Sequence, residues 1–272
     1  MKEAFMPAYD VLVIDPQNDF LDIEGAALPV PGAAADMQRL ADWLMAHRCD
    51  VASITVTLDS HASVGIERTT FWRDAQGQAV PPFTLVTAAD VRAGRFAPRH
   101  SERRDEVLRY LDALEATGQR QLVVWPVHCV LGTWGHNLHA GLAQAIAAWE
   151  ADTGRTCSKV IKGQNPMTEQ YSAFRAEVPR DDDPQTGINW ALMQRLDNGA
   201  PMLLVAGEAQ SHCVAASVDD LMAHLSDARL RNTVLLADCM SPVPGFEAMA
   251  QAFMERARAR GLQSRTLATL AA

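Results

Sequence analysis

Asp15, Asp59, His61, His128, Lys162 and Cys213 each follow a short apolar run: Val11 to Ile14, Val51 to Leu58, Leu122 to Trp125, Lys159 to Ile161 and Met202 to Ala206. Cysteine is a strong nucleophile only as its thiolate, and a free thiol with a pKa of about 8.5 is mostly protonated at neutral pH. Cys213 falls where a predicted strand turns into a predicted helix, and the positive end of a helix favours the anion. An ammonium such as that of Lys162 would lower the thiol pKa further, and Asp15 could take up the thiol proton and later pass it to a leaving amine. The sequence thus predicts a Cys213 thiol that titrates below a free cysteine. Singly, these types are more often a core thiol, a surface lysine and a strand-end carboxylate.

Asp59 and His61 are two apart, so in extended chain their side chains share a side, and His128 comes from the end of the next predicted strand. One carboxylate with two imidazoles suits a divalent metal, zinc before manganese or iron, with open positions for water. His47, His100, His136, His139, His212 and His224 read as structural histidines, and His212, next to Cys213, is the first substitute ligand.

What must position these residues is an alternation of strands and helices. Helical spacing recurs in Met37, Leu40, Ala41 and Leu44; in Val107, Leu111 and Leu114; in Leu138, Leu142, Ala145, Ile146 and Trp149; in Ile188, Leu192 and Leu196; in Val214, Val218, Leu221, Met222 and Leu225; and in Phe246, Met249 and Phe253. With Thr233 to Ala237 as the last strand, the chain makes six β–α steps. Parallel strands need crossovers, and right-handed crossovers cover both faces of a sheet with helices. The fold class is therefore α/β: three layers, with a doubly wound, mainly parallel six-stranded sheet. Its binding crevice lies beyond the carboxyl ends of the strands, where the reactive residues collect. One domain is expected over residues 1–272, with an insertion-like interval at about 65–104 and a second irregular interval from Gly163 to Thr186, whose acidic run Asp181 to Asp183 reads as solvated loop.

The 272 residues are 48% hydrophobic and 21% charged, enough for a sizeable core. Against 33 acidic residues stand 24 Lys and Arg, a net charge of −9 that argues against nucleic acid as partner. No apolar run approaches the roughly 18 residues that span a bilayer, and Met1 to Asp10 lacks the order of a secretory leader. The expectation is a soluble, cytoplasmic protein acting on a small molecule. Five cysteines without a close pair suggest neither a disulfide framework nor a zinc ribbon.

The motifs resemble those of the isochorismatase-like cysteine hydrolases, and within them the nicotinamidases. Asp15-Pro16-Gln17-Asn18-Asp19-Phe20 is similar to the family's opening motif. Trp125-Pro126-Val127-His128-Cys129 with Thr133-Trp134-Gly135, and Lys162-Gly163 with Tyr171-Ser172-Ala173-Phe174, resemble its second and third segments. Gly207 to Val214 resembles its nucleophile turn. The resemblance implies a catalytic triad of Asp15, Lys162 and Cys213, metal ligands Asp59, His61 and His128, and Phe20 and Trp125 flanking a flat substrate ring. It also implies a cis peptide at Glu208 to Ala209 that helps aim backbone N–H groups at an oxyanion. The implied reaction is hydrolysis of a small, heteroaromatic carboxamide to acid and ammonia through a thioester. A non-covalent vinyl ether hydrolase is the first rival, disfavoured by Cys213 with Lys162; a non-catalytic binding protein retaining the fold is the second.

Three departures from the family pattern predict altered pocket walls and a substrate preference shifted away from nicotinamide. Glu208 replaces an apolar residue, Gln210-Ser211-His212 replaces the usual turn, and the 65–104 interval offers Phe71, Trp72 and Phe83 to roof the crevice. The other role for that interval is packing against a second subunit of a homo-oligomer.

Overall fold

The computed structural model describes residues 7–118 and 121–270, so most of the segment read above for a leader lies outside the described residues. Its central sheet has six strands, all pairing in parallel. In chain order the strands are β1 (Tyr9–Ile14), β2 (Val51–Asp59), β3 (Trp72–Asp74), β4 (Thr84–Val86), β5 (Phe96–Pro98), β6 (Leu122–Val124), β7 (Ser158–Lys162), β8 (Met202–Gly207), β9 (Thr233–Leu236) and β10 (Gln263–Arg265). The central order is β10-β9-β8-β1-β2-β7. From β1 the chain moves one way to β2 and β7, then returns to add β8, β9 and β10 on the other side. Right-handed crossovers running in opposite directions put their helices on opposite faces, and the strand order reverses between β1 and β8.

The main helices are α1 (Ala33–Ala46), α2 (Ala88–Arg92), α3 (Arg104–Ala116), α4 (Ala140–Thr153), α5 (Trp190–Asp197), α6 (Ala215–His224), α7 (Asp227–Arg231), α8 (Glu247–Ala259) and α9 (Leu267–Leu270). Their apolar stripes fall where the 3.6-residue period puts them. Met37, Leu40, Ala41 and Leu44 of α1 are buried, as are Leu142, Ala145, Ile146 and Trp149 of α4, and the two helices pack together. Met249 of α8 is exposed, contrary to its place in the expected stripe; Ala250, Phe253 and Ala257 make the buried face.

Two expected features come out differently. Leu122 to Trp125 does not join the central sheet: β6 pairs antiparallel with β4, and the sixth central strand is β10. Alternate residues of this segment serve two cores. Val123 and Trp125 face the main one, whereas Leu122 and Val124 face a second cluster with Ile66, Trp72, Val86, Val107 and Leu111. An apolar run looks the same whichever strand it pairs with, and β10, an edge strand reading Gln-Ser-Arg, has no apolar signal. The 65–104 interval is not irregular either. It holds β3, β4, β5 and α2, and with α3 and β6 it builds that second cluster. The acidic run is surface loop, with Arg180 paired to Asp182.

Strand register sets the site. Ile14 is opposite Gly207 and Asp59 is opposite Lys162, so four strand ends come into line. Gly207 has φ +121°, and a Cβ there would lie 2.0 Å from the Ile14 carbonyl oxygen, so only glycine lets β8 approach β1 this closely. Although β6 leaves the sheet, its continuation returns: His61 N donates to Cys129 O at 3.0 Å and Leu131 N to His61 O at 3.0 Å. That short parallel bridge carries His128 to the end of β2.

Candidate active site

Lys162 is the hub of the site. Its Nζ lies 2.9 Å from Asp15 Oδ2 and 2.9 Å from Asp59 Oδ1, donates to Gln170 O at 3.1 Å, and stands 3.6 Å from Cys213 Sγ. All of these side chains are buried. Burial acts against the ammonium, but Asp15 and Asp59 outweigh it and hold Lys162 well above its ordinary pKa. Asp15, at the end of β1, has φ +43°, a conformation that non-glycine residues adopt only under local constraint. Thr57 supplies part of that constraint by donating to its carboxylate and accepting from its N–H. Burial raises the Asp15 carboxyl above the usual aspartate range, with Lys162 working in the opposite direction.

The expectation of a depressed thiol pKa is corrected. Burial pushes Cys213 well above the ordinary cysteine range; Lys162 lowers it, but Asp15 and Asp59 add to the rise. Lys162 Nζ donates to Asp59 Oδ1, to the Gln170 carbonyl and to Cys213 Sγ, with Asp15 Oδ2 as a close ion-pair partner. Burial thus favours a neutral thiol beside an ionised lysine. Cys213 sits on a single π-helical turn (Gln210–Val214) leading into α6, and the Glu208–Ala209 peptide ahead of it is cis.

Asp59, His61 and His128 form a buried group whose ligand atoms all lie within 4.8 Å of one another. Asp59 Oδ2 is 2.7 Å from His61 Nε2 and 3.4 Å from His128 Nε2. Burial opposes the Asp59 charge, yet His61 and Lys162 hold its pKa well below the usual range. Burial first and Arg68 second push His128 down to about 3, so it is neutral, the form that binds metal. The far ring nitrogens are also engaged: His61 Nδ1 lies 3.4 Å from Glu67 Oε1, and His128 Nδ1 lies 2.8 Å from Pro126 O. Arg68 Nη1, which can only donate, also reaches His128 Nδ1 at 2.5 Å, so Nδ1 accepts there and Arg68 fixes the ring with Nε2 toward Asp59. A deprotonated carboxylate, neutral imidazole and oriented rings fit a divalent metal. Metal analysis of protein purified without chelator is expected to give about one equivalent, lost in His61→Ala. Metal-free protein would remove the assignment.

A cavity of ≈ 370 Å³, open at its mouth, adjoins these groups. Phe20, Trp125, Tyr171, His212, Ala209, Leu28 and Val243 give it walls, and Cys213, Asp59, His128 and Glu169 bring polar groups to it. Phe20 and Trp125 both line this cavity. Trp125 Nε1 donates to Tyr171 OH at 3.0 Å, which fixes the indole. Of the three departures, only the turn reaches the cavity, through His212, whose ring packs 5.1 Å from Trp125 and 4.7 Å from Phe246. His212 is a wall, not a ligand. Phe71 and Trp72 are buried in the second cluster, and Phe83 braces Trp125 with ring centres 5.7 Å apart.

Sequence reading missed Glu67, Arg68 and Glu169. Arg68 is fully buried, with Nε 2.9 Å from Glu67 Oε1 and Nη1 donating to Pro126 O at 3.0 Å. Burial, with Glu67 and Asp59 adding, pushes Glu169 up to about 8. These three lie in intervals without periodicity, where no local signal marks a buried charge. Gly163 has one clear reason: φ +75°, with a Cβ that would lie 2.7 Å from His61 Cε1.

No family model matches the chain. The nicotinamidase of Escherichia coli (strain K12) is 28% identical over 226 residues, covering 80% of this chain and 78% of that one. Among solved structures, the yeast nicotinamidase bound to the inhibitor nicotinaldehyde superposes with a TM-score of 0.62 at 20% identity, covering 95% of this chain and 99% of that one. The pyrazinamidase of Pyrococcus horikoshii in complex with zinc gives 0.55 at 20% identity, covering 96% and 99%. An isochorismatase family protein from Desulfovibrio vulgaris gives 0.52 at 19% identity, covering 97% of each chain.

Proposed function

We propose that this chain, a nicotinamidase-related isochorismatase-like hydrolase, is a cysteine-dependent amidohydrolase that converts a nicotinamide-type carboxamide to acid and ammonia. The observation that carries the reading is the Asp15–Lys162–Cys213 constellation at the edge of an aromatic-walled cavity beside a metal-binding group. The curated relatives are amide hydrolases by name, and the yeast structure holds a pyridine aldehyde.

In this reading the substrate ring lies between Phe20 and Trp125, with its carboxamide carbon over Cys213 Sγ. The thiol proton passes to Asp15 as sulfur attacks, so the negative charge moves to the carbonyl oxygen. The backbone N–H groups of Ala209 and Cys213 would receive that oxygen, since those of Gln210 and His212 are bonded within the protein, and Lys162 stabilises charge on Asp15 and sulfur. Asp15 then returns its proton to the nitrogen, ammonia leaves, and a thioester remains. Asp15 next takes a proton from water, which attacks the thioester and frees the acid and the thiol. Asp59, His61 and His128 would hold a divalent metal, for which zinc fits the donor set, and it would supply a cationic anchor beside the cavity. Burial serves the reaction because each of these charges acts more strongly away from water.

Ammonia release over a panel of heteroaromatic and aliphatic amides tests the proposal. At least one heteroaromatic amide is expected to be turned over with kcat/KM above about 10⁴ M⁻¹s⁻¹, and aliphatic amides far more slowly; the wall altered at His212 is expected to make nicotinamide itself not the preferred one. An equal rate on all amides, or none, would sink the reading. The vinyl ether rival predicts no ammonia and has no use for Cys213. A cytoplasmic location belongs to the same proposal; among the described residues, no helix is long and apolar enough to cross a membrane.

A further inference from the structure

Glu208 is a buried acid that the reaction above leaves unused. Its side chain has 0% exposure and does not line the cavity, which corrects the expectation that it alters the pocket wall. Instead it is turned toward α1. Oε2 accepts the N–H of Ser241 at 3.1 Å, and the hydroxyl of the same Ser241 donates to Asp36 Oδ2, so the two buried carboxyl groups lie side by side at one residue. No N–H or O–H among the described residues donates to Oε1. Two carboxylates have no hydrogen to offer, so this contact holds only while one proton sits between them.

Ser241 extends the contact in both directions. Its Oγ donates to Asp36 Oδ2 at 2.6 Å, and its carbonyl accepts from Gln210 N at 2.8 Å. The Cys213-bearing turn is thereby tied through Glu208 and Gln210 to Ser241, and through Ser241 to Asp36 on α1. Arg39 pairs with Asp36 and donates from Nε to Asp238 O, which keeps the remaining negative charge of the pair on the Asp36 side.

We propose that Glu208 and Asp36 share one proton and act as a clamp that holds the nucleophile turn on α1, so that the turn's geometry depends on pH. The groups facing the pair are Asp22 from the loop before α1, Arg39 from α1, and Asp238 and Cys239 from the segment after β9. Asp22 makes deprotonation of Glu208 harder, and Arg39 favours the ionised form of Asp36. Burial raises the Cys239 thiol, so it stays neutral. Burial likewise places Glu208 well above the usual glutamate range, with Asp36 as the next cause, and raises Asp36 less strongly. Glu208 is a positioning residue, since its side chain acts on Cys213 only through the turn.

Thermal unfolding of the full chain between about pH 6 and about pH 9 tests the clamp without substrate. The native pair keeps a proton that the unfolded carboxyls release, so stability contributed by the pair falls as pH rises toward the native pKa. Glu208→Gln keeps an N–H donor toward Asp36 and has no proton to lose. Its Tm minus that of the unaltered protein is expected to grow with pH by several degrees. A difference that stays constant over the range overturns the shared proton. Asp36→Asn removes the neighbouring charge but leaves Glu208 buried, so it is expected to show a smaller growth of the same sign; no growth in that variant overturns the pair if the first variant does not fold.

The kinetic arm rests on the proposed amide hydrolysis. In Glu208→Gln the alkaline limb of kcat is expected to move up by about one pH unit or more, with KM unmoved. A limb at the same pH in both proteins overturns the positioning role. Absence of turnover in the unaltered protein would count against the proposed function alone, because the thermal arm reads the clamp independently.

Discussion

Cys213→Ala is expected to lower kcat for carboxamide hydrolysis by roughly 10⁴-fold or more, the scale seen when a nucleophile that acts as part of a unit is removed. Ammonia release under saturating amide reads it, and the fold should be intact because Cys213 is a small buried residue beside a cavity. Near-normal turnover would end covalent catalysis through this sulfur. The same thiol should be slow toward alkylating reagents in resting enzyme. It is 6% exposed and burial holds it protonated, whereas Cys49 is exposed. Iodoacetamide at neutral pH is therefore expected to label Cys49 first, and peptide mapping by mass spectrometry distinguishes the two sites. The acid side of kcat/KM carries a related signature. Asp15 must be ionised to accept the thiol proton, and burial raises its pKa, so the acid limb should lie above the ordinary aspartate value of about 3.9.

Lys162→Met has the second large effect, and it falls on stability as well as on rate. The substitution leaves Asp15 and Asp59 buried and facing one another's field without the cation that sits 2.9 Å from each. Breaking a buried pair in this way costs about 3 to 5 kcal/mol, because the partner charge is left uncompensated. Urea unfolding at neutral pH should show a loss on that scale. Part of it should return as pH falls. Without Lys162 the native Asp15 is still more reluctant to ionise, so the native state binds a proton that the unfolded chain, with an aspartate pKa of about 3.9, has given up. Stability of the variant relative to the unaltered protein thus rises between neutral pH and about pH 4. A loss below about 1 kcal/mol, flat with pH, would show that Lys162 is not the counter-charge of this site.

Much of the site was legible because it sits at strand ends. Strand period and helix period are local properties, and they located β1, β2, β7, β8 and β9, and with them Asp15, Asp59, His61, Lys162 and Cys213. His128 was found for a reason that turned out to be incomplete. Its segment does not follow a central strand but reaches the site through the bridge between His61 and Val130. Glu67, Arg68 and Glu169 were invisible because nothing in a stretch without periodicity distinguishes a buried ion pair from surface charge. The 65–104 interval offered aromatic residues and was read as a roof. Packing sends Phe71 and Trp72 into a second core, and leaves Phe83 to brace Trp125 from outside the cavity.

Residue order already sets which chemical types gather at one end of a parallel sheet, since alternating strand and helix patterns fix where each strand ends and right-handed crossovers align those ends. It determined that a thiol, an ammonium and a carboxylate would meet near two imidazoles and a second carboxylate. Tertiary structure alone decided their ionisation and their direction. Burial favours the neutral thiol because desolvation outweighs the one lysine beside it, and Asp15 and Asp59 add to the rise. Glu208 faces Asp36 on α1 and not the cavity because the backbone of Ser241 and the side chain of Asp36 receive it there. Burial, field and side-chain direction are sums over neighbours distant in the chain, such as Asp36 and Glu208 or Asp59 and Lys162, and no local pattern of residues carries them.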